Sequence, residues 1–284
     1  MNYTIKLNRI ANLSFKPMQV NSVGLPIFRA SGIGNLMTEP KNKAAKDAGD
    51  LSESAKTHVL NTWIGWKYKR RQESYSKYLE KGISVEENAI TSFSLLYNVF
   101  LTKNEKPYQN EWFCGTPDLF ELAEDGSIEV VVDTKSSWDI FTFQKARTGQ
   151  LNDLYYWQLQ TYMALTGAKF GKVAFCLENA TADLITDEKR KLAYAMRCFG
   201  DDESDAYKAR CCEIERLMIY DLKSFQKHYP FFDFHSNLSE WKYDISLSDR
   251  VHVFGLNRND DDIALMRRKV EKAWEYIKTV LDKN

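Results

Sequence analysis

Three residues carry spacings that could do chemistry: Asp118, Asp133 and Lys135. The run Ile128–Lys135 is rich in β-branched residues and reads as a strand. Side chains alternate across a strand, so Asp133 and Lys135 share one face while Val130, Val132 and Thr134 take the other. An acid and a lysine ending such a run are costly unless both find partners. Upstream, Glu111–Asp118 reads as a short strand closed by Pro117-Asp118, and Asp125-Gly126 as the hairpin turn between the two strands. Hairpin pairing would bring Asp118 toward Asp133. Two carboxylates and the backbone carbonyl of Thr134 are hard oxygen donors, suited to one or two Mg²⁺ (or Mn²⁺) ions that keep several waters. Such an ion lowers the pKa of a bound water and neutralises charge on a phosphodiester, and Lys135 is placed to orient that water or the phosphate.

The elements that position these residues are legible at low resolution. A polar, basic helix with interleaved aromatics is expected from about Ser52 to Leu79. A second helix starts near Ser84, where Val85, Ala89, Phe93, Leu96 and Phe100 recur at helical spacing. Leu151–Leu165 reads as an amphipathic helix stopped by Gly167, and Lys172–Leu177 as the next strand. Further on, residues 185–210 read as a charged helix with an exposed tip at 201–205, Arg216–Tyr220 as a strand and Asp221–His228 as a short helix. Arg250–Gly255 alternates as a strand and Ile263–Leu281 closes the chain as a helix. Near the start, Gly32-Ile33-Gly34 and Glu39-Pro40-Lys41 read as turns. Strands flanked by helices give an α/β fold. We expect a single domain over residues 1–284, with a core at about 80–180, a helical N-terminal part at 1–80 and additions at 181–284.

Pro117-Asp118 followed by Asp133-Thr134-Lys135 resembles the PD-(D/E)xK nuclease motif. Gly82-Ile83-Ser84-Val85-Glu86-Glu87-Asn88-Ala89 resembles the glycine-led helix start that carries the first acid of the phage lambda exonuclease type. The family glutamate falls on Glu86, with Glu87 as the alternate. Tyr156–Met163 resembles the Q-x₃-Y helix of the same superfamily. Gln158 and Tyr162 are four apart and share a face, whereas Gln160 lies about 200° around the helix from Gln158 and is the alternate glutamine. Ala30-Ser31-Gly32 resembles the segment with which lambda-type members grip a terminal 5′-phosphate, here through Ser31, and Thr116 would serve the same pocket. The family's phosphate-binding arginine lies several residues before that serine. Val23-Gly24-Leu25-Pro26 holds none, and Arg29 is the nearest substitute.

The resemblance, covering about Ala30 to Tyr162, implies a restriction-endonuclease-like core: a central mixed β-sheet flanked by helices, with N- and C-terminal helical additions. It implies an Mg²⁺-dependent exonuclease that hydrolyses phosphodiester bonds of linear duplex DNA from 5′ ends in phage-type recombination or repair. Metal would be held by Asp118, Asp133, the Thr134 carbonyl and Glu86, with Lys135 and Gln158 acting on the water. By resemblance alone, a single-strand annealing protein is an expected partner and a ring trimer an expected oligomer. The competing readings are an endonuclease of the same superfamily and a catalytically silent DNA-binding recombination protein. The intact Asp118, Asp133 and Lys135 argue against the last, since a binding module has no reason to keep a costly charged centre.

The remaining signals are weaker. The 39 basic residues balance 39 acidic ones, so a DNA partner requires a local basic groove rather than a basic chain. Trp63-Ile64-Gly65-Trp66-Lys67-Tyr68-Lys69-Arg70-Arg71 offers one, with Lys67, Lys69 and Arg70 toward phosphates; it equally suits a solvated helix face with its tryptophans in the core. The four histidines lack zinc spacing, and Cys198, Cys211 and Cys212 lack the C-x₂-C spacing of a cluster. Asp260-Asp261-Asp262 precedes a helix, where acids act as caps. No apolar run approaches the roughly 20 residues of a membrane span, and Met1–Lys6 has no signal-peptide core. With an odd cysteine count this gives a cytoplasmic expectation.

Overall fold

The computed structural model describes residues 18–72, 76–198 and 204–283. Along the chain run β1 (Phe28–Arg29), α1 (Ala30–Leu36), α2 (Lys43–Asp47), α3 (Glu53–Lys67), α4 (Lys77–Ser84) and α5 (Glu86–Tyr97). Then come β2 (Tyr108–Gln109), β3 (Phe113–Gly115), β4 (Leu119–Leu122), β5 (Ile128–Ser136), α6 (Ile140–Thr148), α7 (Asp153–Thr166) and β6 (Phe170–Cys176). The remainder is α8 (Ala182–Met196), α9 (Asp205–Met218), α10 (Leu222–His228), α11 (Leu247–Arg250), β7 (Val251–Asn257) and α12 (Asp260–Tyr276). These elements form two compact units, one of Met1–Glu73, Tyr108–Gly115 and Asp260–Asn284, the other of Ser74–Pro107 and Thr116–Asn259.

In the first unit β3 pairs in parallel with β1 and antiparallel with β2, a small mixed sheet beside α1, α3 and α12. Ser52 caps α3 by accepting from the Ala55 N–H, a preferred arrangement for a helix start. Helix α1 is tucked against α3: a Cβ at Gly32 would lie 2.8 Å from the His58 ring.

The second unit carries a mixed sheet in the order β4-β5-β6-β7, in which only β5 and β6 are parallel. The alternation expected of β5 decides which groups go where. Val130 and Val132 pack with Leu119, Ala174 and Cys176 against Ala89, Ile90 and Phe93 of α5. The opposite face meets α7, which sits close enough on β6 that a Cβ at Gly171 would lie 3.2 Å from Leu159. This is the α/β, restriction-endonuclease-like architecture of a central mixed sheet between helices.

Beyond the sheet, α8, α9 and α10 gather around Leu184, Ile185, Met218, Ile219 and Phe225. Lys189 of α8 pairs with the buried Glu215 of α9 at 2.6 Å, and Glu215 also accepts from the backbone N–H groups of His235 and Ser236. A fully buried carboxylate is tolerated because it accepts from an ammonium and two backbone N–H groups.

Several elements differ from the sequence-based expectation. The helix expected over Ser52–Leu79 is two: α3 stops at Lys67, Lys69 takes a positive φ of 54° and α4 begins at Lys77 with Ser76 as its cap. Gly32-Ile33-Gly34 lies inside α1 rather than in a turn, because Ile33 and Leu36 have a core to enter. Arg216–Met218 ends helix α9 instead of forming a strand, since a short apolar run fits a buried helix end as well as a buried strand. The expected helix over 185–210 is α8 and α9, and of its expected tip residues 201–203 lie outside the described residues. The strand that pairs with β5 is Leu119–Leu122, so Asp118 leads into that strand rather than closing the earlier one.

Gly167 ends α7 at φ +81°, the left-handed conformation in which a Cβ is penalised. Replacing it with Ala should cost about 1–2 kcal/mol, measured as a lower denaturation midpoint; an unchanged midpoint would show that the helix end relaxes.

Candidate active site

Strand β5 delivers Asp133 and Lys135 to the α7 face of the sheet. Asp133 is 2% exposed, and the Lys135 ammonium lies 2.6 Å from its Oδ2. That short approach makes the ammonium the partner of Oδ2. Oδ1 accepts from Gln158 Nε2 at 3.3 Å, and the same amide donates to Tyr162 Oη at 2.9 Å. Gln158 and Tyr162 sit one turn apart on α7, so one helix face supplies both. Asp118 approaches from the start of β4, where its Oδ2 accepts from the Thr134 N–H (2.7 Å) and the Thr134 hydroxyl (2.9 Å).

The electrostatics follow from burial. Desolvation raises the Asp118 carboxyl to about 6, with the neighbouring Asp133 charge adding to the rise and the Thr134 donors opposing it. Asp133 is also held above the usual carboxylate range by burial, which Lys135 only partly offsets and Glu86 reinforces. Burial would pull Lys135 down, but Asp133 outweighs it and the ammonium is held above its ordinary value. Two buried acids side by side with one lysine leave unmet demand for positive charge.

These groups line a cavity of ≈ 630 Å³ together with Glu86, Tyr155, Phe175 and Trp138. Glu86 enters from the first turn of α5 and pairs with Lys103 at 2.9 Å. Glu87 does not line the cavity. Gln160 is fully buried but turned elsewhere, donating to the Asn257 carbonyl and accepting from the Asn259 N–H. The structure therefore brings together Glu86, Asp118, Asp133, Thr134, Lys135, Gln158 and Tyr162, and leaves both alternates, Glu87 and Gln160, out. Thr116 is exposed, two residues before Asp118.

The other expected binding residues belong to the first unit. Arg29 and Ser31 are exposed at the junction of β1 and α1. Lys67 is spent locally, on Asp282 at 2.8 Å and over the Trp63 ring at 4.8 Å. Lys69 donates to the Trp66 carbonyl, and Arg70 is exposed. Trp63 is buried in that unit, donating to Asp282, so the tryptophan serves packing there.

Sequence reasoning missed Lys103 and Tyr155. Lys103 lies in an irregular polar stretch with no periodicity to mark it. Tyr155 was within reach: it precedes Gln158 by three on the same helix face, and its ring lies 5.3 Å from the Lys135 ammonium.

Oxygen donors and two aspartates raised by burial suit a hard divalent cation. Among the described residues no three Asp, Glu, His or Cys side chains converge into a closed metal cage. Mg²⁺ sites commonly rest on one or two carboxylates with waters completing the shell, so the two aspartates and the Thr134 carbonyl remain an adequate donor set.

No sequence-family model and no curated protein matches the chain. Solved structures do. A phage-related exonuclease from Haemophilus somnus 129PT aligns with a TM-score of 0.63 and 21% identity over 90% of this chain and 96% of that one. The alkaline exonuclease LHK-Exo from Laribacter hongkongensis aligns with a TM-score of 0.53 and 13% identity over 90% of each chain. Its complex with dAMP aligns with a TM-score of 0.51 at the same identity and coverage. The chain shares the fold of these exonucleases.

Because burial and Asp133 raise the Asp118 pKa, the folded state binds that proton more tightly than the unfolded one. Stability is therefore lost as pH rises from near 4 through about 6. Without divalent cations, Asp118→Asn should be more stable than the parent at pH 7–8 by about 2–3 kcal/mol, with the gap closing toward pH 4. Thermal unfolding across that range in EDTA checks it; a variant no more stable at pH 8 than the parent would contradict the charge repulsion.

Proposed function

We propose that this protein is a divalent-cation-dependent deoxyribonuclease that degrades linear duplex DNA from its ends. The observation that carries the reading is the buried Asp118–Asp133–Lys135–Gln158 constellation, set at the edge of an open cavity in a fold shared with phage-type and alkaline exonucleases.

Asp118, Asp133 and the Thr134 carbonyl would hold Mg²⁺ or Mn²⁺, with Glu86 as an outer ligand or a ligand to a second ion. When bound, the cation supplies a water acidified toward neutral pH and a positive charge against the phosphate. The protein's own groups do the rest. Asp133 and Lys135 stand at hydrogen-bonding range, so the lysine can hold the attacking water, or the phosphoryl oxygen, at a fixed angle to the carboxylate. Gln158 fixes the second oxygen of Asp133 and is itself fixed by Tyr162. The Tyr155 ring lies 5.3 Å from the Lys135 ammonium and favours its charged state.

Attack from 5′ ends is supported by two hydroxyls matching the lambda-type segment. Thr116 stands exposed two residues from Asp118, and Ser31 stands exposed on α1, with Arg29 beside it as the cation for a terminal phosphate. Lys69 and Arg70 are further exposed cations available to backbone phosphates. A role in phage-type recombination or repair, with a single-strand annealing protein as partner and a ring trimer as the assembly, stays part of this proposal.

Asp133→Ala and Lys135→Ala should each lower Mg²⁺-dependent cleavage of linear duplex by at least about 10²–10⁴-fold while the chain stays folded. Gel assays on 5′-phosphorylated and 5′-hydroxyl duplexes, with covalently closed circles in parallel, check the whole reading. Undiminished cleavage by either variant would remove these residues from catalysis. Cutting of closed circles would make the enzyme an endonuclease, and equal rates on both ends would remove the 5′-phosphate preference.

A further inference from the structure

One buried cation stands behind the cavity without entering it. Lys81 is 0% exposed, less than any other described lysine or arginine. It sits on α4, five residues before Glu86. Its ammonium donates to the Ser137 carbonyl at 2.9 Å and the Trp138 carbonyl at 2.7 Å, two and three residues beyond Lys135. The Tyr220 ring closes over it at 5.5 Å. Burial lowers its pKa to about 7, with the charges of Glu178 and Asp139 opposing the fall.

The location gives this contact a consequence. The ladder of β5 ends at Ser136, and the Ser137 N–H is already spent on the Cys176 carbonyl. The next two carbonyls, the first buried and the second partly so, lie at the point where the chain turns into α6; Lys81 supplies both donors. The neighbours on either side of this tie reach the cavity: Gly82 and Glu86 from the helical side, Ser136, Ser137 and Trp138 from the strand side. One side chain thus fastens the segment that carries Glu86 to the end of the strand that carries Asp133 and Lys135. A methionine of similar length would fill the space and leave both carbonyls without donors.

We propose that Lys81 is a positioning residue of the cation-binding centre: by tying α4 to the exit of β5 it sets the separation between Glu86 and the Asp133–Lys135 pair. The proposal rests on the functional reading above.

The test compares Lys81→Met and Lys81→Gln with the parent protein. Mn²⁺ affinity is read by calorimetry, unfolding temperature in EDTA, and kcat and KM on linear duplex DNA. Lys81→Met should weaken Mn²⁺ binding and lower kcat by about 10–100-fold, the range seen when residues supporting metal ligands are removed, with KM for DNA changed less than about two-fold. Lys81→Gln, which keeps an amide donor for one carbonyl, should recover part of both. A folded Lys81→Met protein with parental Mn²⁺ affinity and kcat overturns the proposal, as does a fall in unfolding temperature alone. If neither variant folds, Lys81 serves the fold and the positioning role is rejected. A parent protein that neither binds Mn²⁺ nor cleaves DNA fails at the first measurement, which identifies the functional reading as the part at fault and removes this proposal with it.

Discussion

Asp133 carries a carboxylate to a place that water scarcely reaches, and the next residue on the same face of the strand, Lys135, answers it with an ammonium 2.6 Å away. Burying such a pair rarely gains stability, because desolvating two ions offsets most of their attraction. Here the balance is unfavourable, since a second acid, Asp118, shares the site and both carboxylates are held above their ordinary pKa. The sheet, the flanking helices and the polar groups behind them are arranged so that this unfavourable cluster persists. A centre that costs stability and still has its parts held in place is the pattern of a site kept for chemistry.

The support comes in layers. The valines of β5 on the α5 side anchor the strand by apolar contact, which frees the opposite face for charge. Helix α7 is seated close on β6 at Gly171, so Gln158 reaches Asp133 and Tyr162 reaches Gln158 without slack. At the far end of β5, Lys81 satisfies the carbonyls that the ladder leaves behind. Packing fixes the strand, hydrogen bonds fix the side chains, and the net demand for positive charge is left to a cation and to a phosphate substrate.

Neutral net charge does not conflict with a polyanionic substrate. Some acids are paired inside the protein, as Glu215 is with Lys189 and Glu121 with Lys172, while Arg29, Lys69 and Arg70 are exposed in the first unit. The field a DNA strand meets depends on which charges face solvent, and the sum over the chain does not measure that.

The sequence by itself determined the chemistry-bearing residues and the main alternation. Period-two spacing assigned Asp133 and Lys135 to one face of β5, and a turn of α7 assigned Gln158 and Tyr162 to another, because local backbone geometry alone dictates both. It also placed the end of α7 at Gly167, where a missing Cβ acts locally. Only tertiary structure decided which strand pairs with β5, that Arg216–Met218 is helical and that the run after Trp63 breaks at Lys69. It also decided that Glu86 and Gln158, rather than Glu87 and Gln160, reach the centre. Lys103, Tyr155 and Lys81 became visible only there as well. Their meaning lies in partners 17, 20 and 56 residues away along the chain, and a pattern that repeats every two or four residues carries no information about contacts at that range.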